Sequence, residues 1–501
     1  MVMDKKLFRI FALLICLVML FSICCSCKGD VADNSSVTQS IVSSETTSID
    51  DSDETESELS SSVESSVTSS EVFIDSVTRD RYKPVSLTVS FYDAASGVYG
   101  FTWNSEKKPK EPVVQVCEGK VFDENKCKEY PATVTSFSIT RTANTKAEYY
   151  YISKVEVTLK ANTDYTYRAY EKFAKIGSEP AAFKTGNPKA SSFTFAHISD
   201  TQIATSENDT MHYAAGTGKE FEQVLKGIKK SASDAAFLLH TGDIVQYSYE
   251  SYWDNMIDYN FKYLSVLPIM PIAGNHDTPD YKGKDAIVKH FNLNAPQQDT
   301  QKGLFYYFDY GDVRFIMINT NAIDSANKLE QTQYNWIKRA LESNTKKWTI
   351  VSMHNPMFSV GKWGQNDEQN EKSLTIRDQL YKLFARYNVD LVLQGHDHTY
   401  SKTYPVLQDG SIDNKPEYET IGSVKYTVNP KGVIYAVHGT SGNQSRKPYG
   451  VTDENIYEIY GESYNNSWAN ITVENNKLTV KIMYLENGQP KLWNSYGILK
   501  K

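Results

Sequence analysis

The spacing of apolar positions changes three times along the chain. From Ile10 to Ile23 apolar residues run almost unbroken behind Lys5, Lys6 and Arg9. Between Pro84 and Thr185 they alternate with polar residues in short stretches: Val85–Tyr92, Val98–Trp103, Val113–Cys117, Thr133–Thr140, Tyr149–Leu159, Tyr165–Tyr170 and Ala181–Lys184. A period of two, broken by Asn, Gly, Pro and Lys turns, predicts half-buried strands in a small all-β sandwich over residues 80–187. After Gly186-Asn187-Pro188 the texture changes. Apolar strands at Phe193–Ile198, Ala236–Leu239, Ile269–Ile272, Arg314–Ile318, Trp348–Met353 and Val389–Leu393 alternate with amphipathic stretches at Lys219–Lys230, Tyr252–Leu264, Leu329–Glu342 and Leu374–Tyr387. Val433–Ile482 returns to strands. That alternation predicts a layered α/β domain over 190–501.

The first apolar run is short for a membrane span and follows a basic start, so residues 1–27 read as a secretory signal. The cysteines closing it, Cys24, Cys25 and Cys27, resemble those of a bacterial lipoprotein signal, in which one cysteine carries lipid; which of the three stays open. In residues 31–70, 20 of the 40 positions are Ser or Thr, interleaved with acids. Such a stretch buries too little apolar surface to offset its ordering entropy, so 28–79 is expected to be a disordered tether. Signal and tether together predict an extracytoplasmic protein, secreted or at the cell surface, with membrane contact only through signal or lipid. In that compartment Cys117 and Cys127, with no other cysteine or histidine near them in sequence, read as a disulfide.

Composition narrows the reading further. At 501 residues, 40% hydrophobic and 23% charged, the chain exceeds one usual core and is neither wholly disordered nor fibrous. The formal charge of −8 belongs to the tether: twelve acidic residues and no Lys or Arg lie between Asp30 and Asp75. The remainder is close to neutral, and its tyrosines are not interleaved with basic residues, so nothing points to nucleic acid.

The chemistry collects where strands stop: Asp200 and Gln202, then Gly242-Asp243, Gly274-Asn275-His276-Asp277, His354, and Gly395-His396-Asp397-His398. Loops at one sheet edge converge, so these five segments can build one site. Carboxylates, amide oxygen and imidazoles together suit Fe, Mn or Zn better than Ca or Mg. Other histidines are less telling. His197 and His240 read as core or hydrogen-bonded residues, His438 stays open between an ordinary strand end and a place beside the site, and His212 and His290 read as surface residues. Gly216-Thr217-Gly218-Lys219 is no P-loop, which would need Gly at Tyr213 and Ser or Thr at Glu220.

Two resemblances follow from these residues. Leu159, Thr163 and Tyr165 are spaced as in the corner of fibronectin type III domains, where the Tyr hydroxyl pins nearby backbone; the usual Pro is Ala161 here. Nothing in that module has catalytic character. The order Asp, Gly-Asp, Gly-Asn-His-Asp, His, Gly-His-x-His over Ser192–Tyr400 resembles the calcineurin-like metallophosphoesterases. Gln333-Tyr334-Asn335-Trp336 and His438-Gly439-Thr440-Ser441-Gly442-Asn443 look like their purple acid phosphatase branch, which carries a fibronectin-like module in front. The resemblance implies a four-layer α+β sandwich and two metal ions. Asp200, Asp243 and His398 would hold one ion, and Asp243, Asn275, His354 and His396 the other, with Asp243 shared. His276 would contact the phosphate or protonate the leaving oxygen, with Asp277 orienting it.

Three positions depart from that pattern. Gln202, a seventh candidate ligand, stands where many relatives carry a metal-binding His; an amide is a weaker ligand, and direct binding, binding through water and hydrogen bonding alone all stay open. Gln246 stands where purple members carry an iron-binding Tyr, with Tyr247 one position late. Gly361-Lys362-Trp363-Gly364 replaces the substrate histidines of plant members, leaving Lys362 as a candidate phosphate contact. The expected activity is hydrolysis of phosphomonoesters; the alternatives are phosphodiester hydrolysis on the same core, or a catalytically weakened surface binding protein.

Overall fold

A computed structural model of the chain describes residues 74–501, apart from 141–145, 147, 205–215, 279–285, 297–303, 365–370 and 452–453. The signal, its cysteines, nearly all of the tether and His212 lie outside the described residues. Among the described residues no helix is long and apolar enough to cross a membrane.

The alternating segment forms two antiparallel sheets. One runs in the order Val85–Asp93, Val98–Ser105, Glu148–Thr158, Thr133–Ile139. The other runs Lys128–Pro131, Pro112–Glu118, Asp164–Glu171, with Ile176–Gly177 and Ala181–Lys184 both pairing with the last of these. Alternate residues such as Val89, Phe101, Val114 and Tyr167 are fully buried. The backbone N–H of Lys160 donates to the Tyr165 hydroxyl at 3.1 Å, closing the corner. Strand Lys128–Pro131 has no apolar alternation to announce it; it is an outer strand held by backbone pairing to Val113–Val116. Cys117 and Cys127 are joined in a disulfide.

The second half holds two larger sheets. The first runs Ile269–Pro271, Leu238–His240, Ser192–Ile198, Trp468–Glu474, Lys477–Glu486, Gln489–Leu499, Val424–Val428, Glu417–Ile421. The second runs Tyr306–Tyr310, Val313–Ile318, Trp348–Met353, Leu391–Gln394, Ile434–His438, Tyr400–Thr403, Tyr457–Gly461. Aromatic rings join the two: Phe195 meets Phe315 edge-on at 5.2 Å, and Phe237 meets Phe308 at 5.5 Å. Helices cover the outer faces, giving the four-layer α/β sandwich. Helix Gly218–Ser231 buries Phe221, Val224, Leu225 and Ile228, one apolar stripe at helical spacing. A capping box between Thr217 and Glu220 starts it, which is why Gly216–Lys219 is a helix entry and no phosphate loop. Gln331–Glu342 and Glu371–Arg386 bury Ile337 and Leu341, and Ile376, Leu380 and Phe384, in the core of the second sheet.

Two expectations need correcting. The continuous helix over Tyr252–Leu264 is broken into Glu250–Ile257 and Phe261–Leu264. Asn260 turns its amide back to the Met256 carbonyl at 3.1 Å, a side-chain bond that competes with helix continuation. His290 is not at the surface: it is fully buried, stacked 4.2 Å from the Trp253 ring.

Residues 72–501 form a single compact unit. The β-module shares core with the α/β half: Phe91 packs on Phe237 and Tyr310, and the Tyr167 hydroxyl donates to the Ser265 carbonyl at 2.7 Å. For the site, strand direction matters most. Ser192–Ile198, Leu238–His240 and Ile269–Pro271 run parallel to one another, as do Val313–Ile318, Trp348–Met353, Leu391–Gln394 and Ile434–His438. Their carboxyl ends share an edge, where loops converge.

Candidate metal centre

Each of the five predicted segments leaves the carboxyl end of one of these strands. Seven residues were expected as ligands, and five of them sit at left-handed backbone angles: Asp200 (φ 53°), Gln202 (44°), Asp243 (52°), His396 (72°) and His398 (52°). Outside glycine such angles cost about 1–3 kcal/mol each and persist only where surrounding bonds enforce them. Here they do. Asp200 N–H donates to Gly242 O at 3.0 Å, Gln202 N–H to Asp243 O at 2.9 Å, and Gly395 N–H to His354 O at 3.0 Å. Gly274 and Gly395 are required by space: a Cβ on the first would strike the Asp243 carboxylate, and on the second Ser199 Oγ and Asp200.

The side chains converge. His354 Nε2 lies 3.2 Å from Asp243 Oδ2, 3.1 Å from Asn275 Oδ1 and 3.1 Å from His396 Nδ1. One ligand atom each of Asp243, His354 and His396 falls within 4.8 Å of the others. Alongside, His398 Nε2 lies 3.2 Å from Asp200 Oδ1. His276 Nε2 is 3.9 Å from Asp243 Oδ2.

Hydrogen bonds fix the tautomers. A carbonyl only accepts, so His354 Nδ1–H donates to Thr241 O (2.9 Å), His398 Nδ1–H to Gln444 O (2.8 Å) and His276 Nδ1–H to Gln246 O (2.8 Å). All three therefore turn Nε2 into the cluster, the arrangement in which outer partners orient metal-binding imidazoles. Gln202 adds a buried Oε1 with no hydrogen-bond partner in the structure. Facing ring nitrogens, a packed carboxylate and an orphaned amide oxygen fit cations and little else. The contacts gather Asp243, Asn275, His354 and His396 around one point and Asp200 and His398 at another.

Charge follows the geometry. Burial alone would raise the Asp200 and Asp243 carboxyls, but facing histidines, chiefly His398 for the first and His354 for the second, hold both below the usual carboxylate range. Burial depresses the His354 imidazole, yet Asp243 outweighs it and raises the group to about 9. Burial and the neighbouring His354 push His396 well down.

Asp277 does not do what was expected of it. It is fully buried, and its carboxylate accepts from the backbone N–H of Ile244 and Val245 on one oxygen and Gly274 on the other. It ties the Asp243 loop to the Asn275 loop and leaves His276 to the Gln246 carbonyl. Other residues brace the site from outside the cluster. His240, read as core, accepts the Gly242 N–H on Nδ1 and bonds Thr201 Oγ1 through Nε2, bracing both ligand loops. Its signal was its place, one turn before Asp243. His438 and His197 pair through their Nδ1 atoms at 3.1 Å behind the site, where His197 also reaches Thr241 Oγ1. Gln333 caps the Asn319 backbone through both amide atoms at 2.9 Å, beside the Asn275 loop. Tyr247 lies edge-on to His276, its centroid 6.2 Å away.

Above the cluster opens a cavity of about 500 Å³, lined by Gln202, Asp243, Asn275, His276, His396 and His398 below, and by Lys362, Trp363, Arg446, Lys447 and Tyr449 around its mouth. Asp200 and His354 lie beneath it.

Residues 193–400 match the family model for calcineurin-like phosphoesterases. Among curated proteins, the chain is 28% identical over 252 residues to "Probable inactive purple acid phosphatase 27" of Arabidopsis thaliana, covering 47% of this chain and 39% of that one. It is 21% identical over 314 residues to "Purple acid phosphatase 15" of the same plant, covering 59% and 54%. The chain thus spans about half the length, or less, of these relatives. Among solved structures, a purple acid phosphatase from yellow lupin (Lupinus luteus) seeds superposes with a TM-score of 0.66 over 84% of this chain and 75% of that one, at 20% identity. That likeness is one of fold.

Proposed function

We propose, from a chain that carries a calcineurin-like phosphoesterase domain over residues 193–400, that this protein is a two-metal hydrolase of phosphomonoesters acting outside the cytoplasm. The observation that carries the reading is the convergence of His396 Nδ1, Asn275 Oδ1 and Asp243 Oδ2 within 3.2 Å of His354 Nε2, which with Nδ1–H given to the Thr241 carbonyl can offer these three groups one proton at most. The extracytoplasmic part rests on the basic-then-apolar N-terminus and the Ser/Thr tether.

Two metal ions here would supply Lewis-acid polarisation of the phosphoryl oxygens and a hydroxide nucleophile at neutral pH. The protein's own groups do the rest. Asp243 lies between both ligand sets and ties them electrostatically. The backbone N–H of His276 donates to Asp243 Oδ1 at 2.9 Å, so the imidazole and the shared carboxylate move together. With Nδ1–H committed to the Gln246 carbonyl, protonated His276 would hold its second proton at Nε2, facing the cavity. That proton is placed for the leaving oxygen. Asn275, in the same loop, would orient a phosphoryl oxygen or stay on the metal. Trp363 and the cluster's depth keep bulk water to one side of the cavity.

The test is phosphate release from p-nitrophenyl phosphate by the purified chain with Mn, Zn or Fe supplied, and with Asp243→Asn in parallel. Metal-stimulated turnover lost in Asp243→Asn supports the proposal. Faster cleavage of bis(p-nitrophenyl) phosphate would replace it with a diesterase. Silence on both, with metals demonstrably bound, would leave a binding protein.

A further inference from the structure

The mouth of the cavity has a charge pattern that one phosphate group does not use. Lys362 and Trp363 stand on one side, the Lys362 Nζ 4.7 Å from the Trp363 ring centroid, and the ring 5.5 Å from that of His396. Arg446 and Lys447 stand on the other. The loop bearing them is pinned at three points: Arg446 N–H to His398 O at 3.0 Å, Ser445 N–H to Asn465 Oδ1 at 2.8 Å, and Tyr449 N–H to Val360 O at 2.9 Å. The first of these bonds runs to the backbone of a candidate ligand, so the backbone that carries the two cations is tied to the cluster. Among the described residues, the carboxylates lining the cavity are Asp243, on its floor, and Asp397, buried and accepting the Trp363 N–H at 3.0 Å. Lys447 has one distant partner, Glu462 at 3.9 Å, in open solvent. The Arg446 guanidinium makes no ion pair with a described residue. A planar guanidinium without an ion pair among the described residues, next to an ammonium whose Glu462 partner stands 3.9 Å away, raises the local concentration of anions and grips phosphate oxygens by charge-assisted bonds.

We propose that Arg446, Lys447 and Lys362 form a second anion subsite, and that the preferred substrate carries a second phosphate on its leaving group. This rests on the phosphoesterase reading and adds to it: the metals take the phosphate to be cleaved, the rim takes the one that stays. A substrate reaching from floor to rim spans the cavity, which exceeds what a single phosphate occupies. Arg446 and Lys447 are specificity residues, acting on KM more than on kcat, because they contact the part of the substrate that does not react.

A matched pair of probes tests this: glucose 6-phosphate and glucose 1,6-bisphosphate, with phosphate release and calorimetric binding both followed on the metal-loaded full chain. The bisphosphate is expected to lead at least tenfold in kcat/KM, through KM, with the lead shrinking as salt is raised. Arg446→Ala and Lys447→Ala should each cut that ratio several-fold, and together bring it to about threefold or less. Lys491→Ala, a surface lysine on the distant Gln489–Leu499 strand, is the control for general charge loss. Equal kcat/KM for the two sugars in the unaltered protein overturns the subsite, as does a preference that survives both substitutions. If neither sugar is hydrolysed the phosphoesterase reading fails, but the binding ratio still decides the subsite: tighter bisphosphate binding that depends on Arg446 supports it, and equal binding rejects it.

Discussion

His354 and Asp243 face each other at 3.2 Å from opposite sheets of the sandwich, one following Trp348–Met353 and the other Leu238–His240. The site thus spans both sheets, and its integrity reports on their relative placement. Without metal the pair is an ion pair, which lets the empty site fold. With metal, His354 must give up the proton that Asp243 holds on it up to about pH 9. Adding Zn or Mn to chelated protein should therefore raise Tm and release protons, the more per ion the lower the pH. In His354→Ala the bound metal should fall from two ions to one at most, and most of the Tm rise should vanish. Metal content by mass spectrometry and Tm by calorimetry check both; a His354→Ala protein that keeps two ions would remove His354 from the ligand set.

Gln202 stands where the resemblance to the metallophosphoesterases leads one to expect a metal-binding histidine. Its Oε1 is buried and without a hydrogen-bond partner in the structure, which costs about 1–3 kcal/mol unless a cation takes it. An amide is a weaker donor than imidazole for borderline metals. Gln202→His is expected to tighten Zn at the Asp200–His398 position about tenfold, and Gln202→Leu to weaken it by a similar factor, with the fold kept in both. Competition titrations against a chromogenic chelator measure this. If the Leu variant binds as tightly as the unaltered protein, the amide is not a ligand.

The ligand positions could be read from sequence because each combines two local signals, an apolar strand and a polar stop after it. Topology then does the assembling, since parallel strands bring their stops to one edge. Residues whose roles depend on tertiary contact gave no such signal. His240 ends a buried strand as any core histidine does; only the Gly242 and Thr201 contacts reveal a brace. Asp277 looked catalytic because it follows His276, yet burial turned its carboxylate to three backbone amides. Arg446 and Lys447 follow the His438–Asn443 stretch with no chemical pattern of their own, and it is the folding back of their loop onto His398 that brings them to the cavity. His290 was misplaced for a related reason: its burial depends on Trp253, in the separate helix Glu250–Ile257. The strand Lys128–Pro131 owes its existence to a neighbour's unpaired edge.

Gly274→Ala tests how tightly the shared carboxylate is seated. The new Cβ would overlap both the Asp243 carboxylate and its backbone N–H, and neither can retreat, because Asp243 is held at φ 52° and its loop is clamped by Asp277. A cost of about 3 kcal/mol in stability is expected from overpacking of this kind, together with loss of metal and of turnover. Chemical denaturation and metal content measure the two parts. A variant as stable and as metal-rich as the parent would mean that the loop relaxes freely, contrary to the seating described.

Lys154 couples the β-module to the rest of the fold and sets a pH dependence far from the metals. Its Nζ donates to the Phe291 carbonyl at 2.8 Å. Burial pushes the ammonium down to about 8, with Glu156 opposing that shift. Between that value and its unfolded value of about 10.4, the unfolded chain binds more protons than the folded one, so this group makes stability rise with pH across that window. Below pH 8 both states are protonated, and the full cost, about 3 kcal/mol from the size of the shift, is present and constant. Lys154→Met keeps the length of the side chain and removes the charge. It should be more stable than the parent below pH 8, less the value of the lost bond to Phe291, and the gap should close as pH rises to 10. Urea denaturation of both proteins at pH 7, 8, 9 and 10 gives the difference directly, cancelling the tyrosines that titrate in either. Parallel stability curves for the two would mean that Lys154 keeps its proton in the folded state throughout, and that the module is joined to the α/β half through a solvated contact at this point instead of a buried one.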